Sequence, residues 1–176
     1  PNIAPKTHRY ITTGKQENKF GLDFNPTKWI ILNSDKFACV RLRGIHMHIG
    51  SQIVKAAPFV SAIRRVVDFI SSLKNLGVKI EYLNIGGGLG IIYKDEKPQT
   101  ADDYARVILP ILRDTGLKII LEPGRFIVGN AGILVTEVVY IKRTKNRNFI
   151  IVDAGMNDLV RPMLYEAYHE ALPLTR

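Results

Sequence analysis

Three short stretches of the chain concentrate the residue types that do chemistry. The first holds His48, Gly50 and Ser51; the second is the run Gly86, Gly87, Gly88, with a fourth glycine at Gly90; the third is Glu122, Pro123, Gly124 and Arg125. Consecutive residues without Cβ let the backbone approach another group closely and aim N–H groups at it, which is how chains hold phosphate. The same run also serves as a plain tight turn. It is no dinucleotide fingerprint, because G-x-G-x-x-G read from Gly86 meets Ile91 and read from Gly88 meets Tyr93. No Lys-Ser/Thr pair of a P-loop follows it. Taken singly, His48 reads equally well as a hydrogen-bonded core group and Glu-Pro-Gly as a turn.

The elements around these stretches explain why the three belong together. Residues 37–49 alternate in parity and read as a strand that ends at His48, Gly50 and Ser51. Pro58 opens an amphipathic helix with Phe59, Ile63, Val66, Ile70 and Leu73 on one face and Gly77 as its C-cap. A strand over 79–85 feeds the glycine run. Thr100 with Asp103 three residues on is a capping-box pattern, and the helix it starts runs to Asp114, with a kink at Pro110 and a stop at Gly116. A third strand, 118–121, closes on Glu122. Strand, helix, strand, helix, strand implies parallel strands with right-handed crossovers. In a β/α barrel the C-terminal strand ends converge on one site, so all three tips would meet there.

Before the first strand, Asn25-Pro26 suggests an N-cap followed by a short helix to Leu32, and residues 1–24 read as a loop apart from the short pieces at 11–13 and 19–22. After Gly132 the grammar changes. Residues 133–144 and 148–153 are β-branched runs joined by a polar tip, a hairpin that begins a second domain. The expected boundaries are 1–130 for the barrel part and 131–176 for the β part.

At 176 residues with 46% apolar side chains, the chain can bury a real core. One cysteine, Cys39, excludes a disulfide framework and offers no zinc-spaced cluster, so a reducing, cytoplasmic setting and no metal are expected. No apolar run approaches the roughly 20 residues that span a bilayer, so no membrane partner is expected. The net charge of +9 raises the question of nucleic acid, but the cations are scattered in small groups such as Arg41/Arg43 and Arg64/Arg65. A basic solvated surface or an anionic small ligand accounts for them, and no nucleic-acid partner is expected.

An imidazole, a phosphate-sized backbone nest, a carboxylate and a guanidinium at equivalent strand ends suit a phosphorylated aromatic cofactor, pyridoxal 5'-phosphate. It needs a phosphate cradle, a flat group against its ring, and an acid at the pyridine nitrogen. GIHMHIGSQI, YLNIGGGLGIIY, LEPGR and FIIVDAGMNDLVRPMLYEAYHE, in this order and spacing, resemble the diaminopimelate decarboxylases, pyridoxal-phosphate enzymes of the alanine-racemase-like barrel class that form lysine. The resemblance covers essentially the whole chain, with Ala154 where the family often has Gly as a minor departure.

The resemblance implies an α/β fold, the last part of a TIM-type (β/α)8 barrel followed by the start of a β domain. It implies that His48 stacks on the pyridine ring, that Ser51 lies by the phosphate, that Gly86, Gly87, Gly88, Pro123, Gly124 and Arg125 hold the phosphate, and that Glu122 bonds the pyridine nitrogen. Arg125, Arg161 and Tyr165 match the positions at which the family binds the substrate's distal end, a small amino acid. It further implies a homodimer. The family's cofactor-bonded lysine and its late Cys-Glu-Ser segment have no counterpart here, so the expectation is an internal piece of a longer enzyme, inactive by itself. The rival readings are a related decarboxylase of arginine, ornithine or carboxynorspermidine, and a non-catalytic relative that keeps the barrel for binding.

Overall fold

A computed structural model describes residues 1–3 and 19–174. The short extended piece expected at 11–13 lies outside the described residues. The described residues form a three-stranded parallel sheet of β1 (Gly44–His46), β2 (Tyr82–Asn84) and β3 (Lys118–Ile120), in that order. Helix α1 (Phe24–Leu32) precedes β1, α2 (Ala57–Lys74) joins β1 to β2, and α3 (Ala101–Leu112) joins β2 to β3. Gly44 pairs with Tyr82 and Tyr82 with Lys118, so the strands run in register and their C-terminal ends lie side by side.

The two long helices form where the periodicity places them. α2 buries Phe59, Ala62, Ile63, Val66, Ile70 and Leu73, and α3 buries Tyr104, Ile108 and Leu112. These pack with Leu83, Ile85, Met47 and Ile49 from the sheet and its tips into one core that holds no buried charged side chain among the described residues. Phe59 meets Tyr104 edge to face at 5.0 Å, and burial pushes the Tyr104 hydroxyl up to about 12. The capping box at Thr100 is made: its hydroxyl accepts from Asp103 N–H at 3.1 Å while Asp103 Oδ2 accepts from Thr100 N–H. Pro110 lies inside α3, which tightens into a 3-10 turn at Arg113–Thr115 before the left-handed Gly116.

Two expectations are corrected. The strand over 37–49 is confined to Gly44–His46, because residues 38–39 turn and the chain leaves regular pairing after His46. Backbone bonds continue irregularly beyond it, from Met47 N–H to Asn84 O at 2.9 Å and from Ile53 N–H to Gly88 O at 2.8 Å. The first helix begins at Phe24 with Asp23 as its extended N-cap, so Asn25 and Pro26 lie inside its first turn. Proline costs nothing there, since the first-turn N–H groups have no intrahelical acceptor.

Beyond β3, a short helix α4 (Gly124–Val128) leads to an antiparallel hairpin, β4 (Val138–Arg143) with β5 (Asn148–Val152), and then to a second short helix α5 (Arg161–Tyr165). Thr144 closes the hairpin tip, its N–H and hydroxyl both donating to Arg147 O. Among the described residues no helix is long and apolar enough to cross a membrane.

Candidate active site

The three polar tips meet because the parallel register aligns the ends of β1, β2 and β3. They meet through backbone. Glu122 N–H donates to Gly86 O at 2.8 Å. A Cβ at Gly86 would collide with Met47 O, one at Gly87 with Glu122 O and one at Gly88 with Gly50 O, each nearer than the 3.0 Å that real Cβ atoms keep. Gly86 and Gly88 also hold φ of +72° and +104°. The glycine run is thus required first by the close approach of the flanking strand ends. Two of its N–H groups are already spent inside the protein, Gly86 N–H on Asn84 Oδ1 at 2.9 Å and Gly87 N–H on His48 Nδ1 at 3.3 Å.

His48 follows the last paired residue of β1 and is half-buried, and its Nδ1 accepts from Gly87, so the glycine run orients the ring. Burial first, then the neighbouring His46, lowers the His48 pKa below the ordinary imidazole range, against the pull of Glu122. Ser51 sits between Gly50 at φ +142° and Gln52 at φ +58°. Glu122 stands at the end of β3 with a half-exposed carboxylate: Asn84 Nδ2 donates to Oε1 at 2.7 Å, and His46 Nε2 lies 3.7 Å from Oε2. Pro123 is the N-cap of α4, and a Cβ on Gly124 would meet nothing within 4 Å.

Arg125 and Arg161 come from α4 and α5, yet both face one ring. The Arg161 guanidinium lies 4.5 Å from the Tyr93 ring centre and that of Arg125 6.0 Å. Arg125 Nη1 also donates to Gln52 Oε1 at 3.5 Å. Neither guanidinium pairs with a carboxylate among the described residues. A guanidinium without a counter-ion can take an anion, and its fork fits a carboxylate and a phosphate alike. Tyr165 closes α5, part-buried.

Five residues do work that the motifs did not reveal. Asn84 joins the glycine run to Glu122, and its place two residues before a glycine N–H is the spacing of an Asx turn. Gln52 clasps Ile91 from both sides, Nε2 donating to Ile91 O at 2.7 Å and Oε1 accepting from its N–H at 3.2 Å. His46, Tyr93 and His169 complete the list. Tyr93 and His169 lie far apart in sequence, and no local signal joins them.

The family model described as pyridoxal-dependent decarboxylase, pyridoxal binding domain, matches residues 1–129. The diaminopimelate decarboxylase of Aquifex aeolicus is 48% identical over 99% of this chain and 42% of that protein, and the one from Vibrio cholerae 45% over the same shares. The crystal structure of diaminopimelate decarboxylase from Helicobacter pylori complexed with L-lysine aligns with a TM-score of 0.90 at 44% identity, covering 97% of this chain and 43% of that one. A lysine/ornithine decarboxylase from Vibrio vulnificus, at 24% identity and a TM-score of 0.77, shares the fold. The chain therefore spans less than half the length of the relatives it matches. With a matching model across most of its length, the chain belongs to the pyridoxal-dependent decarboxylase family and carries sequence of its pyridoxal-binding domain.

Proposed function

We propose that the full-length protein decarboxylates meso-2,6-diaminopimelate to L-lysine with pyridoxal 5'-phosphate, that its sheet is the last part of a TIM-type barrel, and that it works as a homodimer. The observation that carries the substrate is the pair Arg125 and Arg161, both facing Tyr93 and neither paired with a carboxylate among the described residues. Diaminopimelate differs from ornithine in ending with a carboxylate, and such an end matches two guanidinium groups. Whole-chain similarity to proteins named diaminopimelate decarboxylase supports the same reading. The change from parallel to antiparallel pairing between β3 and β4 supports a domain boundary near residue 130.

The residues present fit the cofactor. Bound at the strand ends, it supplies an electron sink for the pair left behind when CO2 departs. His48, oriented by Gly87, offers its flat face to the pyridine ring. Glu122 has one oxygen occupied by Asn84, and its second, beside His46, would keep a proton on the pyridine nitrogen. With Gly86 and Gly87 N–H already bonded, the phosphate donors narrow to Ser51, Gly88 and Arg125, while Gly86, Gly87, Pro123 and Gly124 give the cradle its shape. Arg161, with Arg125 and Tyr165, receives the distal carboxylate.

Replacing Arg161 by Ala in the full-length protein tests this. It removes a charge-assisted bond worth about 1.5–3 kcal/mol, so KM for diaminopimelate rises by about one to two powers of ten while the cofactor absorbance stays normal. Lost absorbance with substrate affinity intact would place Arg161 at the phosphate. Arg125→Ala is the companion measurement, since Arg125 stands between both ligands.

A further inference from the structure

Tyr93 ends the segment that leaves the glycine run, and the loop after it is pinned: Glu96 Oε2 accepts from Tyr93 N–H at 2.9 Å and from Lys94 N–H at 2.7 Å. From that fixed position the ring meets three side chains. Arg161 stacks over it at 4.5 Å, Arg125 lies at 6.0 Å, and His169 approaches edge-on at 5.6 Å and 78°. His169 also touches Arg161 directly, its Nε2 lying 3.0 Å from Arg161 Nη1. A guanidinium only donates, so Nε2 is the acceptor and the imidazole is neutral with its proton on Nδ1. The left-handed Glu166, at φ +53°, turns the chain after α5 so that His169 returns to Arg161. Burial and the Arg161 charge both lower the His169 pKa, which keeps that acceptor available.

A long arginine without such contacts samples many rotamers, and receiving a carboxylate would then cost the entropy of freezing them. Here an aromatic face and a neutral acceptor hold the guanidinium beforehand, and neither neutralises its charge. We infer that Tyr93 and His169 are positioning residues that hold Arg161, and through the shared ring Arg125, in the orientation that receives the substrate's distal carboxylate. The inference rests on the reading of Arg161 as the carboxylate ligand.

The test uses the full-length protein loaded with pyridoxal 5'-phosphate and compares Arg161→Ala, Tyr93→Leu, Tyr93→Phe, His169→Ala and His169→Gln. Tyr93→Leu and His169→Ala should each raise KM for diaminopimelate by about two- to tenfold, with kcat and cofactor absorbance near those of the parent. Tyr93→Phe keeps the ring and His169→Gln keeps an acceptor, so each should recover most of the loss. A merely structural role predicts instead that kcat, absorbance and KM deteriorate together, without rescue by Phe or Gln, and that pattern would overturn the inference. A raised KM in Arg161→Ala with unchanged KM in Tyr93→Leu and His169→Ala would overturn it alone. An unchanged KM in Arg161→Ala would remove the substrate reading and the inference with it.

Discussion

Glu122 accepts from Asn84 Nδ2 on one oxygen, and His46 Nε2 lies 3.7 Å from the other. A carboxylate is the group that a pyridinium partner needs. In the full-length protein, Glu122→Gln keeps the shape and the bond from Asn84 but loses the charge that holds a ring proton. We expect the cofactor to stay bound and turnover to fall by at least about tenfold, a barrier change of about 1.4 kcal/mol, read from CO2 release and from the cofactor spectrum. Unchanged turnover would make Glu122 a structural residue. At this scale His48, Glu122 and Arg125 were legible because each stands at a strand end in a motif. Asn84 was not, since its bond to Glu122 depends on how close β3 comes to β2.

The elements show the same division. α2 and α3 were readable from apolar spacing and from the capping box, because both are properties of one helix. β1 was overextended: parity alternation continues past His46, but pairing is cut short where the glycine run bends β2's continuation at Gly86 and Gly88. α4 and α5 are single short turns of five residues each, too brief for any periodicity to declare them. The glycine run itself was legible as a close approach, but the neighbouring backbone it presses on was not, because that depends on how the strand ends meet. Gly87→Ala tests this. The added methyl would strike Glu122 O, a main-chain atom that cannot rotate away, so the strand ends must separate. A drop of several degrees in the thermal midpoint of the full-length protein, together with weakened cofactor binding, is expected. A substitution as stable as the parent would contradict the packing described.

At the scale of the molecule, the apolar surface is distributed unevenly. The core lies between α2, α3 and the sheet, whereas the hairpin exposes Val138, Val139, Tyr140, Ile141, Phe149, Ile150 and Ile151 on both faces. Among the described residues, β1 and β3 pair with no further strand on their outer sides. Open edges beside exposed apolar faces favour association, so the 176-residue chain alone should sediment as oligomers or aggregates, and a monomeric, cooperative unfolding transition would speak against that. The parallel order β1-β2-β3 was legible from the alternation of strand and helix patterns; what covers the hairpin was not, because its apolar residues report burial without naming the neighbour. The central claim concerns the whole protein, and CO2 release by the purified full-length gene product measures it most directly. With pyridoxal 5'-phosphate present, we predict turnover of meso-2,6-diaminopimelate to lysine and little or none of ornithine, arginine or carboxynorspermidine; turnover of ornithine without turnover of diaminopimelate would contradict the account.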